Sequence, residues 1–337
     1  MDTLPDVALA FGLGLAGSPV VLRVMRRVRV LDVPTGRSSH TSAIPRGGGL
    51  APAIACVVAT AFSSQLSGAD REAVLMASVG LGLIGLADDL HPQAAVPRLI
   101  GQVVVALVAS IWLVRSADGG VLAATALTGA VVGWLVSYVN AFNFMDGING
   151  LAVAQVVVAG AAWGIVGWHE HVPALVSGLI PAAAVLGFAP FNVVRVKMFL
   201  GDVGSYFLGG WLGVTAIVGL KAGVPPEAVL APLTVFLADS GVTLLRRVRR
   251  HEPWSQAHKQ HAYQRLVQAG WSHGQTTLAV GSVMATVSAL GALSLTGTTA
   301  LRVVGDLAAL AVVAGYLALP GAVSELRASH LGAVDKP

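Results

Sequence analysis

Residues 140–151 read NAFNFMDGINGL, and within them Asn140, Asn143, Asp146 and Asn149 recur at every third position. Carboxylate and carboxamide oxygens are the ligands a hard divalent cation prefers, and i,i+3 neighbours on a helix are close enough to share one. On an unbroken helix Asn140 and Asn149 would face about half a turn apart. Gly147 and Gly150 can break the helix and bring the later residues round, because glycine tolerates the backbone angles required. A polar helix cap followed by a turn is the competing interpretation.

Three further segments carry groups of the same chemical kind. Asp88 and Asp89 end the apolar run VLMASVGLGLIGLA, a costly place for carboxylates unless they face a cavity, a partner or water. Adjacent helical residues point about 100° apart, so the two acids should have different partners and roles. Arg98 and Gln102 follow where the next helix can return beside them; Arg98 could hold a phosphate or anchor the helix end. In FLGDVGS, Asp202 lies just after Gly201 and before another apolar stretch, where it could be a second metal carboxylate or a helix cap. In HEPWSQAHKQHAYQRL, His258, His261 and Arg265 are spaced i, i+3, i+7, so a helix would align them on one face. Two imidazoles and a guanidinium together suit a phosphate or diphosphate; zinc is the weaker idea, with no cysteine nearby and no HExxH arrangement. The first loop, LDVPTGRSSHTSAIPRGGG, adds Asp32, Pro34, Arg37, His40, Pro45, Arg46 and three glycines.

The elements that must position these groups follow from composition. Of 337 residues 55% are hydrophobic and 11% charged, with mean hydropathy +0.75; soluble domains carry about 25% charged residues. Long continuous apolar runs argue for membrane helices over the alternating strands of a β-barrel. The expectation is an all-α, polytopic integral membrane protein, one membrane domain over 1–337. It has about eleven transmembrane helices: 5–25, 47–66, 72–88, 97–115, 121–140, 150–168, 172–190, 204–221, 227–245, 276–296 and 299–320. The lone Cys56 excludes an intrachain disulfide. Asp2 and Asp6 stand where a secretory signal would be basic, so the first run reads as an uncleaved span.

With the N-terminus outside, seventeen Lys and Arg residues fall on inside segments and four on outside ones. That bias makes the inside face cytoplasmic and explains the net charge of +4 without nucleic acid as a partner. The run from Arg246 to Arg250 reads as a topogenic anchor that can also attract anionic lipid headgroups. All five polar segments fall on the inside face, which predicts a single cytoplasmic-face active site.

In order over about residues 30–270, the segments D-x-P-x-x-R-x-x-H with P-x-G-G, the acidic pair, N-A-F-N-F-M-D-G-I-N-G-L-A, F-L-G-D-x-G-S and H-x-x-H-x-Y-Q-R-L resemble the polyprenyl-phosphate N-acetylhexosamine-1-phosphate transferases. This is the glycosyltransferase 4 superfamily, and the last motif is more similar to its O-antigen-initiating branch than to its muramyl-pentapeptide branch. Asn149 departs from the Asp of many bacterial members. The resemblance implies Mg2+ (with Mn2+ as a substitute), a UDP-N-acetylhexosamine donor and undecaprenyl phosphate as acceptor, in the inner (plasma) membrane among membrane lipids. It assigns metal binding to Asn143 and Asp202, and catalysis and lipid-phosphate handling to Asp88 and Asp89. Asn149, Asp146, His258, His261, Arg265 and Arg98 would contact the nucleotide sugar and its phosphates. Which sugar is used and whether the protein is a homodimer stay open. A muramyl-pentapeptide-phosphate transferase is the alternative within the class. A transporter is the alternative outside it, disfavoured because the polar groups gather at one face without a repeat.

Overall fold

The computed structural model describes residues 3–32, 43–66, 68–115, 120–194, 196–253 and 258–334. Pro34, Arg37 and His40 of the first motif lie outside them, as do Arg195 and Lys336, two of the seventeen inside-segment basic residues. The chain begins with α1 (Leu4–Arg27), a two-residue antiparallel pairing of β1 (Leu31–Asp32) with β2 (Ile44–Pro45), and α2 (Leu50–Phe62). Helices α3 (Gly68–Leu90), α4 (Ala95–Val114), α5 (Gly120–Met145) and α6 (Leu151–His169) follow. Next come α7 (Pro173–Val176), α8 (Leu179–Ala189), α9 (Gly201–Lys221), α10 (Pro226–Leu230) and α11 (Thr234–Arg249). A short α12 (Ala262–Gln268) precedes the last two long helices, α13 (His273–Gly291) and α14 (Thr299–Val334).

Ten helical stretches among the described residues are long and apolar enough to cross a membrane. The expected span at 47–66 is instead the thirteen-residue α2, about 20 Å at 1.5 Å per residue and short of the roughly 30 Å hydrocarbon layer. The glycines just before it are used elsewhere. Gly48 donates its N–H to the Phe199 carbonyl (2.9 Å) and Gly49 to that of Leu200 (2.7 Å), while Phe199 N–H returns to Pro45 (2.8 Å). The triple glycine therefore stitches the first loop to the entry of α9.

Helix α9 is the hub, with nearly all of its side chains buried. Without a hydrophobic drive between helices in lipid, close approach depends on small residues. Gly85 of α3 lies against the Asp202 backbone, Gly204 of α9 against Gly49, and Gly209 against Val139 of α5. A methyl group at Gly85 or Gly49 would collide with main chain of α9. These contacts bring the C-terminal end of α3, the C-terminal end of α5 and the N-terminus of α9 to the same end of the bundle. On the outer side α1 and α8 cross as closely, with Gly14 against Ala184 and Gly187 against Phe11 and Leu15.

Candidate active site

The cavity at this end of the bundle has a volume of about 650 Å3. Asp88, Arg98, Asn143, Asp146, Asn149, Asp202 and His258 all line it, so the structure gathers seven of the expected residues from five separate segments. The order is produced mainly by helix ends. Helix α5 stops at Met145, and Gly150, the N-cap of α6, has φ of 84°, so of the two glycines expected to break the helix Gly150 supplies the left-handed turn.

Asp88 and Asp89 have separate surroundings, as their 100° offset requires. Asp89 has no exposed side-chain surface. Its Oδ1 accepts the Asp202 N–H (3.0 Å) and Arg46 Nε (2.7 Å), and its Oδ2 accepts the Val203 N–H (3.0 Å). Those N–H groups belong to the first turn of α9, where a carboxylate both satisfies orphan donors and meets the positive end of the helix dipole. Gly201 allows this approach: its φ is 76°, and a Cβ there would stand 2.6 Å from Asp89 Oδ2. Asp88 turns to the cavity instead, accepting Gln93 N–H (2.7 Å) and Arg98 Nη1 (3.0 Å).

Asp202 joins the two sides. Asn143 Nδ2 donates to its Oδ1 (2.8 Å) and to Ser205 Oγ (2.9 Å), while Arg46 Nη2 donates to its Oδ2 (3.3 Å). Arg98 Nη1 lies 4.0 Å from the same Oδ2 and 3.4 Å from the Tyr206 hydroxyl. Burial lowers the tendency of Arg46 to stay charged, but Asp89 and Asp202 outweigh that and hold its pKa above the ordinary value. Burial, followed by the charges of Asp202 and Asp89, pushes the Asp146 acid well above the usual carboxylate range. Asn140 departs from the expected shared-ligand role. Its Nδ2 donates to Gln102 Oε1 (2.6 Å) and the Val136 carbonyl (2.8 Å), and it does not line the cavity.

The 258–265 segment corrects the helical alignment of His258, His261 and Arg265. Helix α12 starts at Ala262, with His261 as its N-cap in extended backbone (ψ 150°) and His258 in the coil before it. His258, Lys259 and Gln264 line the cavity; His261, 3% exposed, and Arg265 do not. His258 Nδ1 is buried without a hydrogen-bond partner among the described residues. Burial, then the nearby His261 and Arg247, lower its pKa to about 4, so it is neutral.

Several contributors escape inspection of the sequence. Arg46, noted only for loop charge, bridges Asp89 and Asp202. Asn192 accepts the Gly150 N–H (3.0 Å) and donates to the Met198 carbonyl (3.2 Å), tying the α6 entry to the FLGD loop. Asp239 sits inside the membrane-crossing stretch Pro226–Arg249, and an acid within a span is itself the signal that could have found it.

The donor set is compatible with a divalent cation. Among the described residues no three His, Cys, Asp or Glu side chains converge as a closed metal cage. Mg2+ does not need one, since it is commonly held by one or two carboxylates plus substrate phosphate oxygens and water. Asp202, Asn143 and Asp88 would supply such a partial, oxygen-rich set. Among the described residues the acids Asp32, Asp88, Asp146 and Asp202 and the cations Arg46, Arg98 and Lys259 line the cavity; a divalent cation held there would add positive charge for an anionic diphosphate.

Comparison with known proteins bears on this geometry. The profile of glycosyl transferase family 4 matches residues 72–220, which include Asp88, Asn143 and Asp202. The chain is 30% identical over 320 residues to a decaprenyl-phosphate N-acetylglucosaminephosphotransferase of Mycolicibacterium smegmatis, covering 79% of this chain and 77% of that one. It is 26% identical over 278 residues to a probable undecaprenyl-phosphate N-acetylglucosaminyl 1-phosphate transferase of Bacillus subtilis, covering 78% and 76%. A phospho-N-acetylmuramoyl-pentapeptide-transferase of Halalkalibacterium halodurans is 30% identical over a shorter 241 residues, covering 64% and 74%. A multi-pass helical bundle, the ordered motifs at one end of it, and relatives matched over three quarters of their length agree: the chain belongs to glycosyl transferase family 4, the polyprenyl-phosphate N-acetylhexosamine-1-phosphate transferase superfamily.

Proposed function

We propose that the protein transfers N-acetylhexosamine-1-phosphate from a UDP-linked amino sugar to a polyprenyl phosphate, undecaprenyl phosphate in the first instance. The products are a polyprenyl-diphosphate sugar and UMP. The observation that carries this reading is the meeting of Asp88, Asn143, Asp202, Arg46 and Arg98 in one cavity at a bundle end, where a lipid headgroup and a water-soluble nucleotide can meet. The longer coverage of N-acetylglucosamine-phosphate relatives favours this donor class over a muramyl pentapeptide.

Phosphoryl transfer chiefly needs positioning and charge neutralisation. An oxygen of the lipid phosphate attacks the sugar-bearing β-phosphorus; a P–O bond forms there as the bond to the UMP oxygen breaks, and UMP leaves with the electron pair. The acceptor monoester is already largely dianionic at neutral pH, with a second pKa of about 6, so no strong base is required. Mg2+ held at Asp202 and Asn143 would supply charge neutralisation for the diphosphate. Arg98, tethered by Asp88, is placed to hold the lipid phosphate, and Asp88 keeps that guanidinium in register. Asp89 has both oxygens committed to α9 and Arg46, so its part is to fix Asp202. His258, whose Nδ1 has no hydrogen-bond partner among the described residues, would meet the donor phosphates. The cavity opens to the cytoplasm, with the N-terminus outside and the protein in the plasma (inner) membrane; an O-antigen-like surface polymer is the downstream use in keeping with its last motif.

The test is UMP release by the purified protein given undecaprenyl phosphate, Mg2+ and a panel of UDP-sugars. Release that needs lipid and metal, and is lost in Asp202→Ala while the protein stays monodisperse, is the expected result. Full activity of Asp202→Ala would remove the metal assignment. Lack of UMP release and of nucleotide binding would move transport ahead.

A further inference from the structure

Asp239 lies ten residues before the end of α11, about 15 Å along the helix, and has no exposed surface. A carboxylate so placed is costly unless its oxygens are fully engaged, and here they are. Oδ1 accepts the Ala262 N–H (2.9 Å) and the Thr243 hydroxyl (3.2 Å) and faces His261 Nδ1 at 3.3 Å. Oδ2 accepts the Tyr316 hydroxyl (2.7 Å) and the Tyr263 N–H (3.4 Å).

One side chain thus joins three elements. It caps the start of α12, holds the His261 ring, and receives a brace from α14. The His261 ring packs against that of His258 with centroids 5.0 Å apart, and Tyr263, two residues on, donates its hydroxyl to the Phe144 carbonyl (2.8 Å) beside Gly147. Neither Asp239 nor Tyr316 lines the cavity, yet His258, Lys259 and Gln264 do. These contacts run without a gap from α14 to the cavity wall.

We propose that Asp239 is a positioning residue for the nucleotide-sugar donor: it holds the 258–264 segment against the cavity, with Tyr316 as its brace. The proposal rests on the transferase reading for the identity of the ligand, but the placement of the wall does not. A residue that merely stabilised the core would weaken donor and lipid binding together, in step with melting temperature. A positioning residue behind the 258–264 segment affects the donor selectively, because the contacts of Asp239 go to Thr243, His261, Ala262, Tyr263 and Tyr316 and not to Asp88 or Arg98.

The full chain in detergent is compared with Asp239→Asn and Tyr316→Phe for donor KM, lipid KM, melting temperature and carbethoxylation of His261 by diethyl pyrocarbonate. Asp239→Asn should raise donor KM about tenfold and leave lipid KM within about twofold, and Tyr316→Phe should raise donor KM about threefold, as for loss of charge-assisted hydrogen bonds. His261, protected in the parent, should react about tenfold faster in Asp239→Asn, following the open population of the wall. Unchanged donor KM, or both KM values rising with a fall in melting temperature, would overturn the proposal. If Asp239→Asn does not fold, Tyr316→Phe decides it by the same readouts. If the parent releases no UMP from any donor, the transferase reading fails separately, and His261 reactivity alone decides: faster modification supports the positioning role and unchanged protection ends it.

Discussion

The acid wall of the cavity and its histidine wall are built on different plans. On the acid wall the motif side chains themselves meet: Asp88 with Arg98, and Asn143 and Arg46 with Asp202. On the histidine wall only His258 of the expected trio faces the cavity, while His261 turns back to Asp239 and Arg265 lies off it. The difference reflects secondary structure. Ends of long helices, drawn together by glycine contacts, aim consecutive turns at one point. A coil leading into a seven-residue helix has no such rigidity and depends on side-chain anchors behind it. A motif residue can therefore face the ligand or hold the residue that does.

The sharpest way to break this comparison lies on the acid wall, between neighbouring carboxylates. Asp89→Asn removes a buried charge paired with Arg46 and with two N–H groups of α9, and should cost about 3–5 kcal/mol of stability, as for other broken buried pairs. Asp88→Asn should leave the melting temperature close to the parent while kcat falls about a hundredfold, the order expected for misplacing a reacting group. Thermal unfolding beside UMP-release kinetics separates the two. Equal stability losses would mean that both acids are structural.

On the histidine wall, His258→Ala should raise donor KM about tenfold, whereas Arg265→Ala should stay within about twofold, since only the first loses a charge-assisted contact with phosphate. A larger loss at Arg265 would restore the one-face helical alignment and undo the contrast between the walls.

The smallest expected effect concerns protons. His258 has a pKa of about 4 in the free protein, lowered by burial and then by His261 and Arg247. A bound diphosphate favours the imidazolium and raises that pKa, so binding takes up a proton between about pH 4 and the raised value, and none well above or below that window. Nucleotide affinity should accordingly rise as pH falls through this window. Calorimetry in buffers of different ionisation enthalpy reads the uptake directly; identical heats at acid pH would place His258 away from the phosphates.

Much of the acid wall could be read before folding. The i,i+3 spacing from Asn143 to Asp146 and the glycines at 147 and 150 describe a helix end followed by a turn, and α5 does stop at Met145. The same reasoning failed for His258 to Arg265, because periodicity says where side chains point only if the helix is present, and here it begins at Ala262. Arg46 sits in a glycine-rich loop where nothing local separates a site residue from a topogenic charge. Asp239 does not stand out in the sequence, because a single acid scarcely alters the hydropathy of a long span.

The sequence alone determined the membrane class, the apolar segments, the single polar end and the carboxylates gathered there, since hydropathy, charge bias and residue type are properties of local segments. Only the tertiary structure decided which of two adjacent acids faces the cavity. That choice is made by α9, whose first N–H groups come from residues 113 and 114 positions away and claim both oxygens of Asp89. It likewise separated His258 from His261, because an acid twenty-two residues earlier holds one of them and leaves the other at the cavity. Hydrogen bonds act over about 3 Å in space, and no spacing along the chain records which distant groups will meet.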